Sequence, residues 1–137
     1  MRTRREAREH ALGLCYELEI RGLDAESLLA DLPIPPDPYA ERLVRGVAGH
    51  GGEIDVLLRR FSQRWALERM PAVDRALLRI ACYELGWEPD LPTGVVINEA
   101  VDLAREYSTK DSGRFVNGLL SRIAEELRPA AAVGPVP

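Results

Sequence analysis

The pattern of apolar positions is densest from Val73 to Leu85, where Val73, Ala76, Leu77, Leu78, Ile80, Ala81, Cys82, Tyr83 and Leu85 cover most of a helical circumference. A surface helix shows a single apolar stripe, so this spacing predicts a central helix wrapped by others. Pro71 suits its first turn, and Gly86 is positioned to end it in a left-handed conformation. The flanking segments are amphipathic, as such a centre requires. Thr3 and Glu6 read as a capping box for a first helix with the stripe Ala7, Ala11, Leu14, Cys15, Leu18 and a second ridge of Leu12, Tyr16 and Ile20. Asp24 is placed to cap a short second helix, and Asp37 with Pro38 opens a third with Tyr39, Leu43, Val44 and Val47 inside. A fourth carries Ile54, Leu57, Leu58, Phe61 and, at its end, Trp65.

Beyond the central helix, Thr93 to Tyr107 keeps a helical period through Val96, Ile97, Ala100, Val101, Leu103 and Ala104. Its first residues alone resemble a strand, but the period outlasts them. A seventh helix, capped by Asp111 or Ser112, has the stripe Phe115, Val116, Leu119, Leu120, Ile123, Ala124 and Leu127. No segment alternates with period two, so the predicted fold class is all-α with about seven helices. With 137 residues and 46% hydrophobic content, the chain is long enough for one real core. The expected organisation is a single domain over residues 1–128, with lobes at about 3–49 and 53–128 meeting at the glycines of 49–52. A disordered tail over 129–137 is expected to follow.

Charge changes this picture in its distribution more than its sum. The net charge of -4 argues against a protein that coats nucleic acid through overall charge. Yet Arg2, Arg4, Arg5 and Arg8 crowd the first turns, while acids dominate residues 17–41. Asp74, Arg75 and Arg79 share a polar strip of the central helix; Arg75 and Arg79 are a like-charge pair, and Arg79 has no acid three or four positions away, so its counter-charge is expected from another helix or a ligand. Cys15 and Cys82 are isolated in apolar patterns, which points to a reducing compartment, the cytoplasm. No run approaches membrane-spanning length, and nothing reads as a signal peptide. His10 and His50 make no metal-ligand spacing, Gly49 to Gly52 lacks the Lys-Ser/Thr of a phosphate loop, and Glu99 with Asp102 fits a salt-bridged surface better than an acid/base pair. The expectation is a binder rather than an enzyme, with no cofactor and no metal.

Two places look built for RNA. A helix N-terminus is already positive, so arginines gathered there make sense if an anion such as a phosphate binds. A frayed basic terminus without a role is the alternative. At the seventh helix, Phe115 sits at the edge of its stripe beside Arg114 and just after Asp111. There it could stack on an unpaired base while Asp111 accepts from a base amine and Arg114 meets phosphate. Spacing equally allows Phe115 in the core and Asp111 as a simple cap.

The blocks RTRREAREHALGLCYELE, AVDRALLRIACYEL and VVINEAVDLAREYSTKDSGRFVNGLLSRIA resemble, in this order, the NusB family of bacterial transcription antitermination factors, from about Arg4 to Ile123. The resemblance implies two perpendicular three-helix lobes and binding of single-stranded boxA leader RNA of ribosomal RNA operons. It also implies a heterodimer with NusE, a small-subunit ribosomal protein, and assembly with other Nus factors on RNA polymerase. By position it implies RNA contacts from Arg4, Arg5, Arg8, Asp111, Arg114 and Phe115, and a NusE surface at Tyr16 and Asp74. The chain departs from the family pattern at Glu6, which dilutes the basic motif, and at Ser62, in a region where some members carry an RNA-touching aromatic. Other readings are a NusB-like lobe of a ribosomal RNA cytosine methyltransferase, or a helical interaction module without RNA binding. A homodimer burying the first helix is a further expectation for the free protein.

Overall fold

The computed structural model describes residues 3–63 and 65–129, so Arg2 and the expected tail beyond Pro129 lie outside the described residues. Among the described residues seven α-helices form: α1 (Arg4–Arg21), α2 (Ala25–Asp31), α3 (Pro38–Gly49), α4 (Gly51–Phe61), α5 (Ala72–Trp87), α6 (Thr93–Tyr107) and α7 (Ser112–Leu127), with a 3₁₀ turn at Leu67–Arg69. No strand occurs among the described residues. The helix starts are chemically specified. Thr3 and Glu6 make the reciprocal capping box, Asp24 accepts from the Ser27 N–H, and Asp37 accepts from the N–H groups of Tyr39 and Ala40. Gly22 ends α1 at φ 65°, where a side chain would be strained.

α5 is the centre, in contact with α1, α3, α4, α6 and α7. Leu77, Leu78, Ile80, Ala81, Cys82 and Leu85 are all buried, as continuous apolar coverage requires. Three local expectations are corrected. α5 runs through Gly86 to Trp87, because Arg128 reaches in from beyond α7 and donates to the carbonyls of Glu84, Leu85, Glu88 and Leu91. The Leu85 carbonyl is one of the orphan acceptors of the helix end, and the others fasten the turn that follows, so no left-handed glycine is needed there. Trp65 lies after α4, whose last turn closes when the Ser62 hydroxyl donates to the Leu58 carbonyl at 2.6 Å. Neither Asp111 nor Ser112 caps α7 with its side chain.

The counter-charges missing from α5 come from other helices. Glu19 of α1 accepts from Arg75 at 2.9 Å and from Arg79 at 2.6 Å, and Asp55 of α4 accepts from Arg79 at 2.9 Å. These contacts tie α1, α4 and α5 together through charge. Burial also pushes the Cys15 and Cys82 thiols up to about 12, which keeps them protonated.

Candidate nucleic-acid interface

The α1 arginines are graded from surface to interior. Arg4 is exposed, with its guanidinium 3.7 Å above the Tyr39 ring centroid in a cation–π contact. Arg5 is half-buried between Glu99 and Asp102 of α6, bonding each at 3.0 Å. Arg8 is 3% exposed. Glu84 of α5 takes its Nη2 at 2.8 Å and its Nε at 3.1 Å, and Glu99 takes Nη1 at 3.2 Å. Burial alone would lower the Arg8 pKa, but the Glu84 carboxylate more than offsets that, so the net shift is upward. Tyr39 also donates its hydroxyl to Glu84 at 2.5 Å, so Arg4, Tyr39, Glu84 and Arg8 form one stack. The expectation that Arg8 faces phosphate is corrected: its guanidinium is spent inside the fold. Glu6 is likewise spent, on the Thr3 N–H at 2.8 Å.

A larger basic and aromatic site lies at the start of α7. Phe115 is half-buried, edge-on to Trp65 at 5.0 Å between centroids and 67° between planes. With Phe61, Arg60, Arg114 and Arg122 these rings line a cleft of about 790 Å³. Arg60 lies 5.0 Å over the Phe61 ring and pairs with Glu126, Arg122 donates to the Phe61 carbonyl, and Arg114 is exposed. Sequence reasoning assigned Phe61 and Trp65 to a core stripe and missed Arg60 and Arg122. The available signal was that cations adjoin both rings in sequence. Ser62 itself is buried, so the aromatics of this region are its neighbours.

The loop from Ser108 to Asp111 joins α6 to α7. Lys110 and Asp111 are exposed, and Asp111 accepts no capping bond from α7, so its carboxylate faces solvent. Asp74 is 0% exposed and accepts hydroxyl bonds from Ser108 and from Ser112, the latter at 2.9 Å. It therefore does not stand on a polar strip or at a surface, which corrects its expected place at a partner interface.

Tyr16 does stand at the surface, at 41% exposure. It borders a hollow of about 290 Å³ with Glu9, Leu12, Gly13, Val73 and Tyr107, and the Tyr107 hydroxyl donates to Glu9 at 2.6 Å on the rim. Ile20, 59% exposed, extends the ridge one turn further. An apolar hollow with a polar rim suits the anchor residues of a partner protein.

Comparison with known proteins gives four consistent findings. The profile of the NusB family matches residues 5–125. A transcription antitermination protein NusB of Kineococcus radiotolerans is 47% identical over 129 residues, covering 91% of this chain and 95% of that protein. Among solved structures, NusB of T. maritima superposes with a TM-score of 0.84 at 37% identity, covering 98% of this chain and all of that one. A structure of antitermination factors NusB and NusE in complex with double-stranded RNA matches with a TM-score of 0.76 at 28% identity, covering 90% of this chain and 96% of that one.

Proposed function

Since the chain belongs to the NusB family, we propose that it is an RNA-binding transcription antitermination factor that acts with a NusE-type protein on boxA-type leader RNA. The observation that carries this reading is the cleft at α7, where Phe61, Trp65 and Phe115 stand among Arg60, Arg114 and Arg122. Aromatic faces accept unpaired bases regardless of sequence, and arginines alongside them neutralise the connecting phosphates. Arg4 and Arg5 extend the basic surface, Arg8 supports them from below, and Asp111 is left to accept from a base amine. Helix α5 packs against both α3 and α4. The hollow at Tyr16 is the NusE-type contact in this reading. A homodimer through α1 is its counterpart in the free protein, and assembly with other Nus factors on RNA polymerase completes it. Its setting is the cytoplasm, consistent with two free buried cysteines. No helix among the described residues is long and apolar enough to cross a membrane. The function is binding, with no catalytic step.

The test is titration of boxA-type single-stranded RNA, beside an unrelated strand, with and without a NusE-type protein. Preference for boxA that sharpens when the partner is present supports the reading; equal affinity for both strands in both arms overturns it. Tyr16→Ala should cost about 1 to 3 kcal/mol of partner binding in the same assay.

A further inference from the structure

We propose that Asp74 is a positioning residue for RNA recognition, holding in place the loop and first turn that present Lys110, Asp111, Arg114 and Phe115. The inference rests on the RNA reading above. A carboxylate with no exposed surface is expensive to keep ionised unless its lone pairs are used. Among the described residues no cation pairs with Asp74; its acceptors are filled by two serine hydroxyls from the same short loop, Ser108 on Oδ1 and Ser112 on Oδ2. It sits in the first turn of α5, where unpaired N–H groups favour a negative charge.

The bond to Asp74 also orients the rest of the loop. With its proton given to the carboxylate, the Ser112 oxygen is free to accept, and it takes the Thr109 N–H at 3.2 Å with the Thr109 hydroxyl 2.8 Å away. Both ends of the loop are therefore pinned to one buried group, and the residues between them are pushed outward. The first backbone bond of α7, from the Phe115 N–H to the Asp111 carbonyl at 3.1 Å, begins on this base. Ser112 gives up its capping role to reach Asp74, and Asp111 makes no cap either, so what fixes the α7 start is a tertiary contact. The dependence on Asp74 follows.

The experiment measures single-stranded RNA affinity for the full chain and for Asp74→Ala, Asp74→Asn, Phe115→Ala and the Asp74→Ala/Phe115→Ala double variant, at several salt concentrations. Asp74→Ala should weaken binding roughly fivefold or more and make the salt slope shallower, because Lys110 and Arg114 lose their placement along with Phe115. In the Phe115→Ala background the same change should have a smaller effect than in the wild type, because one of the residues it positions is already gone. Asp74→Asn, which keeps an acceptor for one serine, should recover most of the loss. If Asp74→Ala fails to fold, Ser108→Ala removes one arm of the clamp at a half-exposed position and enters the same cycle. Wild-type affinity in Asp74→Ala, or losses at Asp74 and Phe115 that simply multiply, overturns the positioning role. Absence of RNA binding by the unaltered protein instead overturns the functional reading on which this one rests.

Discussion

Arg4 and Arg8 lie one helical turn apart and do different work. Arg8 is closed in by Glu84 and Glu99, so removing its side chain leaves Glu84 buried with only Tyr39 as a donor. Arg8→Ala is predicted to cost about 3 to 5 kcal/mol of stability, measured by urea unfolding. Arg4 is held only by the face of Tyr39. Arg4→Ala should leave the urea midpoint nearly unchanged and make the salt slope for single-stranded RNA shallower by about 0.7, the contribution of one phosphate. If Arg8→Ala proves as stable as wild type, the buried stack contributes nothing to the fold. Phe115 is the other residue whose environment decides its role. Because it is half-buried, Phe115→Ala should lose less stability than the roughly 3 to 5 kcal/mol of a fully enclosed ring. It should lose about 1 to 3 kcal/mol of RNA binding. A thermal melt beside an RNA titration separates the two, and a large stability loss with RNA affinity intact would make it a packing residue.

At the level of elements, α3 and α5 approach closely at Gly46. A Cβ added at Gly46 would lie 2.2 Å from Cε1 of the Tyr83 ring, which is itself buried and held by a hydroxyl bond to Glu88 at 2.7 Å. A rigid, anchored ring cannot step aside as the end of a flexible chain can. Gly46→Ala is therefore predicted to destabilise by about 1 to 3 kcal/mol, despite the better helix propensity of alanine. Gly113, also close to a neighbour, faces the Arg105 side chain. That side chain is long and exposed, so Gly113→Ala should cost less, and comparing the two urea midpoints checks the distinction.

Across the whole molecule, α1 is fastened by carboxylates that stay ionised unusually far into acid. Hydrogen bonds from Arg75 and Arg79 hold Glu19 below its usual 4.5, and those from Arg5 with the charge of Arg8 do the same for Glu99. A folded-state pKa below the unfolded one means that the stabilisation is complete above pH 4.5 and fades as pH falls through the lowered values. The predicted outcome is a protein whose urea midpoint is flat near neutrality and drops below that point. Glu19→Gln should be less stable at neutral pH and show a shallower acid decline. Parallel declines in the two proteins would assign the acid sensitivity to other groups.

The helix count, the caps at Thr3, Asp24 and Asp37, and the central place of α5 were legible in the linear pattern, because each depends on spacing within a few residues. The blocks that resemble NusB were legible for the same reason: they are local strings. What only the tertiary structure decided was the partner of each charged group. Arg8, Arg5, Arg75 and Arg79 find their carboxylates on helices dozens of positions away, and Asp74 finds its donors in a loop beyond α6. Periodicity places a residue on a face of its own helix but says nothing of which polar group packs against that face. For that reason Arg8 and Asp74 read as surface residues in the sequence and lie inside the fold, whereas Phe61 and Trp65 read as core and line an open cleft.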